Sequence, residues 1–188
     1  NTTYFCTVQS TDNYSNTVNS NIFNFTTLPL TGCTIPRDDL VITQDTVLCE
    51  GTYNINDINL DGAVIRIEGN NIDVECNGTV LIGDGEGIGF VVAGNGVYKE
   101  GITISGCTIE NYDYGMSLSK ANRLNINNNN FNNVMAGILV DIVQDSTFSN
   151  NNFDTFDVAI YSPEGSYGNY NNIIENNFIQ NGEAGIAL

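Results

Sequence analysis

The chain has 188 residues, with 5 basic against 22 acidic side chains, a net charge of −17 and no histidine. Such a charge repels nucleic-acid phosphates and anionic lipid headgroups, so both are disfavoured as partners. Without imidazole, mechanisms that use His as base, nucleophile partner or metal ligand are excluded, and no apolar run reaches membrane length.

Residues 1–28 alternate apolar and polar side chains around a DNYSN turn, with Tyr4, Cys6 and Val8 on one face. The stretch resembles the last two strands of an immunoglobulin-like or fibronectin-type module, and two strands cannot hold together alone. The chain starts without Met and stops on the strand Ala184-Gly185-Ile186-Ala187-Leu188. It therefore reads as a piece of a longer polypeptide, or as a subunit completed by other copies.

Residues 29–60 read as an N-terminal cap on the long C-terminal region. Cys33 and Cys49 bracket two short apolar strands around an Asp45 turn. A disulfide closing that loop would contribute roughly 3 kcal/mol on the chain-entropy model; two buried free thiols are the alternative. Cys76 and Cys107 either stack as thiols or bridge, and Cys6 is left over from a total of five.

From residue 61 to 188 the chain repeats. Ile109, Phe131, Phe153 and Phe178 anchor four lines, each preceded two positions earlier by Cys107, Asn129, Asn151 and Asn176. Five positions before the anchors stand Ile104, Ile126, Phe148 and Ile173; after them come Gly115-Met116, Gly137-Ile138, Ala159-Ile160 and Gly185-Ile186. A fixed period of this length, with apolar pairs such as Leu124-x-Ile126 separated by Asn- and Gly-rich turns, is the signature of stacked coils. Helical spacing is never sustained, and Asn, Gly and β-branched residues argue against helix. An inward Asn costs free energy unless both ends of its amide are bonded. Repeated at a strand spacing of roughly 4.8 Å, it can bond the Asn of the next coil and the turn backbone. Cys107, Asn129, Asn151 and Asn176 are thus expected to form one inward column.

The runs ITISGCTIENYDYGMSL, LNINNNNFNNVMAGILV and NNIIENNFIQNGEAGIAL resemble right-handed parallel β-helix repeats of the pectin-lyase-like, NosD-type group, over about Leu60 to Leu188. The resemblance implies an all-β, right-handed parallel solenoid, and the uncapped last strand leads to the expectation that its coils continue past residue 188. It says little about function, because this architecture carries lyases, hydrolases, adhesins and inert spikes. The basic residue over an acidic cation cluster that β-helix lyases need has no match here. Neither has the hydrolase set of paired carboxylates with His, Arg and Lys. A metal-delivery role, as the group's name suggests, lacks His, Met clusters and exposed Cys pairs.

The remaining chemical candidates are sparse. Asp113 with Asp157, and Glu110 with Asp154, share an offset two rungs apart, about 10 Å, at the loose end of the spacing for glycoside hydrolysis. Asp84-Gly85-Glu86-Gly87 and the pair Asp141 and Asp145 are acidic turns that offer Ca²⁺ a few oxygens without matching a Ca²⁺ loop. Tyr161, Tyr167 and Tyr170, in the insertion YSPEGSYGNYNN, suit stacking on sugar rings or contacting protein, with Tyr167 and Tyr170 the first candidates, and Tyr112 and Tyr114 occupy the same general turn two coils earlier. Sequons at Asn1, Asn13, Asn24 and Asn77 point to an exported glycoprotein. The expectation is a non-catalytic, acidic extracellular segment of a cell-surface, stalk, filament or adhesin protein. It has no cofactor and no assigned catalytic residue. Its partners are further copies, the rest of a longer chain, or glycans. The alternative is a polysaccharide-binding or polysaccharide-degrading module.

Overall fold

The computed structural model describes the chain except residues 1, 7–8, 12–16, 20–22, 28–31, 59–61, 95, 167, 176 and 188. It forms two units, Asn1–Gly32 and Cys33–Leu188. In the first, β1 (Thr2–Cys6) pairs antiparallel with β4 (Phe23–Thr27), and β2 (Gln9–Thr11) pairs antiparallel with β3 (Thr17–Asn19). Tyr4 lies opposite Phe25 and Cys6 opposite Phe23.

The second unit is a parallel β-solenoid whose coils contribute strands to three faces. The first face stacks β5 (Cys33–Thr34), β7 (Thr46–Leu48), β10 (Asp73–Glu75), β14 (Thr103–Ser105), β17 (Asn125–Asn127), β19 (Thr147–Ser149) and β21 (Ile173–Glu175). The second stacks β8 (Gly51–Asn54), β11 (Thr79–Ile82), β15 (Thr108–Glu110), the starts of β18 (Asn130–Gln144) and β20 (Asn152–Tyr161), and β22 (Phe178–Gln180). The third stacks β6 (Leu40–Ile42), β9 (Ile65–Ile67), β12 (Ile88–Ala93), β16 (Tyr114–Asn122), the later parts of β18 and β20, and β23 (Ala184–Ala187). Short β13 (Lys99–Glu100) pairs with the end of β16. Regular stacking begins inside the stretch expected as a cap: β7 and β8 already pair in parallel with the coil above.

Three-residue strands can turn so sharply because the corners hold residues that tolerate a left-handed backbone. Gly101, Arg123, Asp145 and Asn171 have positive φ at one corner, Gly106, Asn128 and Asn150 at the next, and Asn111 and Asn133 at the third. Asn and Gly enter that region at little cost. Eight asparagines among the described residues take this conformation, turn chemistry that recurs coil after coil.

Between the corners, alternate residues point inward. Ile104, Ile126 and Phe148 form one buried file, Leu81, Ile109, Phe131 and Phe153 a second, and Ile65, Phe90, Met116, Ile138 and Ile160 a third. The rings of Phe131 and Phe153 stack with centroids 4.9 Å apart and planes 6° from parallel. A glycine file beside the second runs Gly89, Gly115, Gly137, closed by Ala159; the rings of Phe131 and Phe153 occupy the space that side chains at Gly115 and Gly137 would take.

In the last coil the register differs by one residue from the periodic expectation. Phe153 pairs with Ile179 and Phe148 with Ile174. Ile173 and Phe178, expected inside, face outward and are 54% and 61% exposed. The reason lies in a run of doublets, Asn171-Asn172, Ile173-Ile174, Asn176-Asn177 and Phe178-Ile179, in which each residue type offers two adjacent positions for one slot. Backbone pairing with the preceding coil decides between them.

Candidate functional site

The inward corner between the first and second faces changes character along the stack. It begins with Cys76 and Cys107, joined in a disulfide with Cα atoms 4.8 Å apart, one rung spacing. Above them Asn129 is fully buried. Its Oδ1 accepts from the Cys107 backbone N–H at 3.0 Å, and its Nδ2 donates to the Ile104 carbonyl at 3.0 Å and to Asn151 Oδ1 at 3.1 Å. Asn151 repeats the arrangement with the Ile126 carbonyl and Asn177 Oδ1. The fourth place thus belongs to Asn177, whose Nδ2 donates to the Phe148 carbonyl at 2.9 Å. Asn176, the residue expected there, lies outside the described residues, and the doublet slip explains the difference.

A second polar column, which the repeat pattern did not single out, stands at the corner before the first face. Leu124 N–H donates to Ser146 Oγ at 3.0 Å, and Ser146 N–H to Asn172 Oδ1 at 3.0 Å. A second amide, Asn169, takes the Val143 N–H and donates to the Val140 carbonyl. The signal was present as Leu124 and Ser146, both seven positions before an anchor, hidden because the residue type changes at each coil and Asn172 falls one position out of step. These columns satisfy the backbone where strands break, and they are structural.

On the outside, the acidic candidates are drawn into ladders of their own. Glu110 Oε1 accepts from Asn132 Nδ2 at 2.9 Å, and Asp154 Oδ1 from Asn181 Nδ2 at 2.7 Å. Asp113 and Asp157 share a file with Met135 between them, two rungs apart. Asp141 accepts the hydroxyls of Ser119 and Ser166, and Asp145 accepts the Asn171 amide. Asp84 and Glu86 lie exposed on their turn. Among the described residues, no three His, Cys, Asp or Glu side chains converge as a metal site.

The aromatic candidates separate. Tyr112 is buried and its hydroxyl donates to the Ile55 carbonyl at 2.6 Å, so it presents no ring to a ligand. Burial first, then the carboxylates of Asp84, Asp38 and Asp57, push its phenol well above the ordinary range. Tyr114, shifted upward by burial and then by Asp113, lines an outer groove of about 400 Å³ with Met135, Asp157, Tyr161 and Glu183. Tyr170 is half exposed and bonds Gln144 Oε1 at 2.7 Å, while Tyr167 lies outside the described residues. Of the sequons, Asn1 and Asn13 also lie outside the described residues, and Asn24 falls in β4. Asn77 is exposed on a left-handed turn, but the hydroxyl of its sequon partner Thr79 is buried, donating to the carbonyls of Cys49 at 2.9 Å and Cys76 at 2.5 Å.

Cys33 and Cys49 form a disulfide with Cα atoms 4.9 Å apart. With Cys76–Cys107 this makes two cross-links in a chain of an oxidising compartment, periplasmic or extracellular. The family described as "Periplasmic copper-binding protein (NosD)" matches residues 38–188. No curated protein and no solved structure matches the chain. Copper prefers imidazole, thiolate and thioether ligands. The chain has no His, its four described solenoid cysteines are bonded to each other, Met116 is buried in the apolar core, and Met135 is a single thioether on the outer groove with no His or Cys lining it. The described side chains therefore do not fit a copper ion. The match covers most of the length and all but the first rungs of the solenoid, and on it the chain belongs to the NosD family.

Proposed function

We propose that this chain is a non-catalytic scaffold, a stiff solenoid segment of a periplasmic or extracellular protein of the stalk, filament or adhesin kind. The observation that carries the reading is the outer ladder. Glu110, Asp141, Asp145 and Asp154 each accept a hydrogen bond from an amide or hydroxyl of a neighbouring coil. A carboxylate held in this way ties rungs together and is poorly placed to trade protons with a substrate. Further coils, from a longer chain or another copy, would pair with the outer edges of β21, β22 and β23. Incubating the chain with neutral and acidic glycans, with and without Ca²⁺, is expected to leave them uncut. New reducing ends or unsaturated products would overturn the reading.

The groove beside Tyr114 and Tyr161 favours a second reading, lateral binding of a neutral glycan, since aromatic rings beside carboxylates suit sugar faces and hydroxyls. Retention of an uncut neutral glycan in the same incubation would support it.

A further inference from the structure

The chain's few cations are not spread over its surface. Arg66 follows the start of β9, Lys99 lies in β13, Lys120 lies in β16 and Arg123 directly follows it, so four of the 5 basic residues sit on three consecutive coils. Arg123 is spent on Glu100, at 2.5 Å the one ion pair among the described residues. Arg66 and Lys99 instead line one outer groove of about 320 Å³ with Gly62, Glu68, Val91, Ala93 and Val97.

The geometry readies both groups for an anion. Arg66 stands in an outward file between Val41 and Val91, and its guanidinium lies over Gly62, where an added Cβ would come 2.5 Å from Nη2. Lys99 Nζ donates to the Glu68 carbonyl, which fixes the head and leaves its other protons free. Val91, Ala93 and the exposed Val97 supply apolar walls beside the charges, which lowers the local dielectric and strengthens a charge-assisted bond.

We propose that this groove binds a small monocarboxylate of sugar-acid size. A planar guanidinium fork matches the two oxygens of a carboxylate, and an ammonium beside it adds a second charge. Polyanions are disfavoured because Glu68 stands on the rim and the chain carries −17 overall. One carboxylate attached to a compact polar body meets both constraints.

The test is an NMR titration of the isotope-labelled chain with glucuronate, with glucose as the neutral control. Glucuronate is expected to give saturating shifts at Val91, Val97 and Lys99, and glucose none. Arg66→Gln and Lys99→Gln should each weaken binding roughly tenfold or more, the loss expected for one charge-assisted hydrogen bond. Gly62→Ala, which pushes the guanidinium aside, should weaken it as well, and Arg37→Gln, outside the groove, should not. The absence of saturating shifts, equal binding of glucose, or unchanged binding by both Arg66→Gln and Lys99→Gln would overturn the proposal.

Discussion

Replacing Gly137 by alanine should destabilise the solenoid although it adds a single methyl group. A Cβ at this position would collide with Cδ1 of Phe153, lie 2.6 Å from its Cε1 and 2.6 Å from the Ala159 carbonyl oxygen. None of these is the free end of a flexible chain. The ring is packed against Phe131, and the carbonyl belongs to the next strand. The backbone at Gly137 is not left-handed, so the cost is steric and not conformational. Overpacking a dense core costs roughly 1–3 kcal/mol, which lowers the melting temperature of a chain this size by roughly 2–12 °C. The structure also contains the compensation. One coil on, Ala159 carries the methyl that Gly137 lacks, and the side chain in the ring's place is Ile179. Phe153→Leu alone should cost about 1–2 kcal/mol through lost packing, yet together with Gly137→Ala it should cost at least about 1 kcal/mol less than the sum. Urea titrations followed by circular dichroism on the four proteins of this cycle measure the coupling. A neutral Gly137→Ala, or strict additivity, would refute the claim that the ring takes the space of the missing side chain.

Two other outcomes are expected. Asn129→Ala leaves the Cys107 N–H and the Ile104 carbonyl buried without their partner, for a loss of about 2–4 kcal/mol; a change below about 1 kcal/mol in the denaturant titration would show that the column is dispensable. The raised phenol of Tyr112 means that the folded state holds this proton more tightly than the unfolded state. Its contribution is full below the ordinary value of 10.0 and falls as pH rises above it. Stability measured from pH 8 to 11 should therefore drop less steeply in Tyr112→Phe than in the parent, and identical slopes would count against burial of that hydroxyl.

The repeat was legible because in a solenoid the contacts that matter join residues one period apart. Ile109, Phe131 and Phe153 recur at a constant interval in the sequence for the same reason that they stack in space. The column of Asn129 and Asn151 could be read in the same way, since an inward amide repays burial only when an identical neighbour answers it. The pairing of Cys33 with Cys49 was available from the loop they bracket, with the free-thiol alternative still open.

What the period leaves undecided is anything smaller or larger than itself. A one-residue slip among the doublets of the last coil preserves composition and spacing, and only the strands of the coil below select Asn177 and Ile179 over Asn176 and Phe178. Whether Cys76 and Cys107 bridge depends on a coil of irregular length bringing two corners to 4.8 Å. The burial of Tyr112 under Ile55, and the meeting of Arg66 with Lys99 in one groove, join residues 57 and 33 positions apart at unrelated offsets. By itself the sequence determined the architecture and the column of Asn129 and Asn151, because these rest on like residues stacked on like. Tertiary structure alone decided the final register, the second cross-link and the cationic groove, because these arise where unlike side chains from different coils meet.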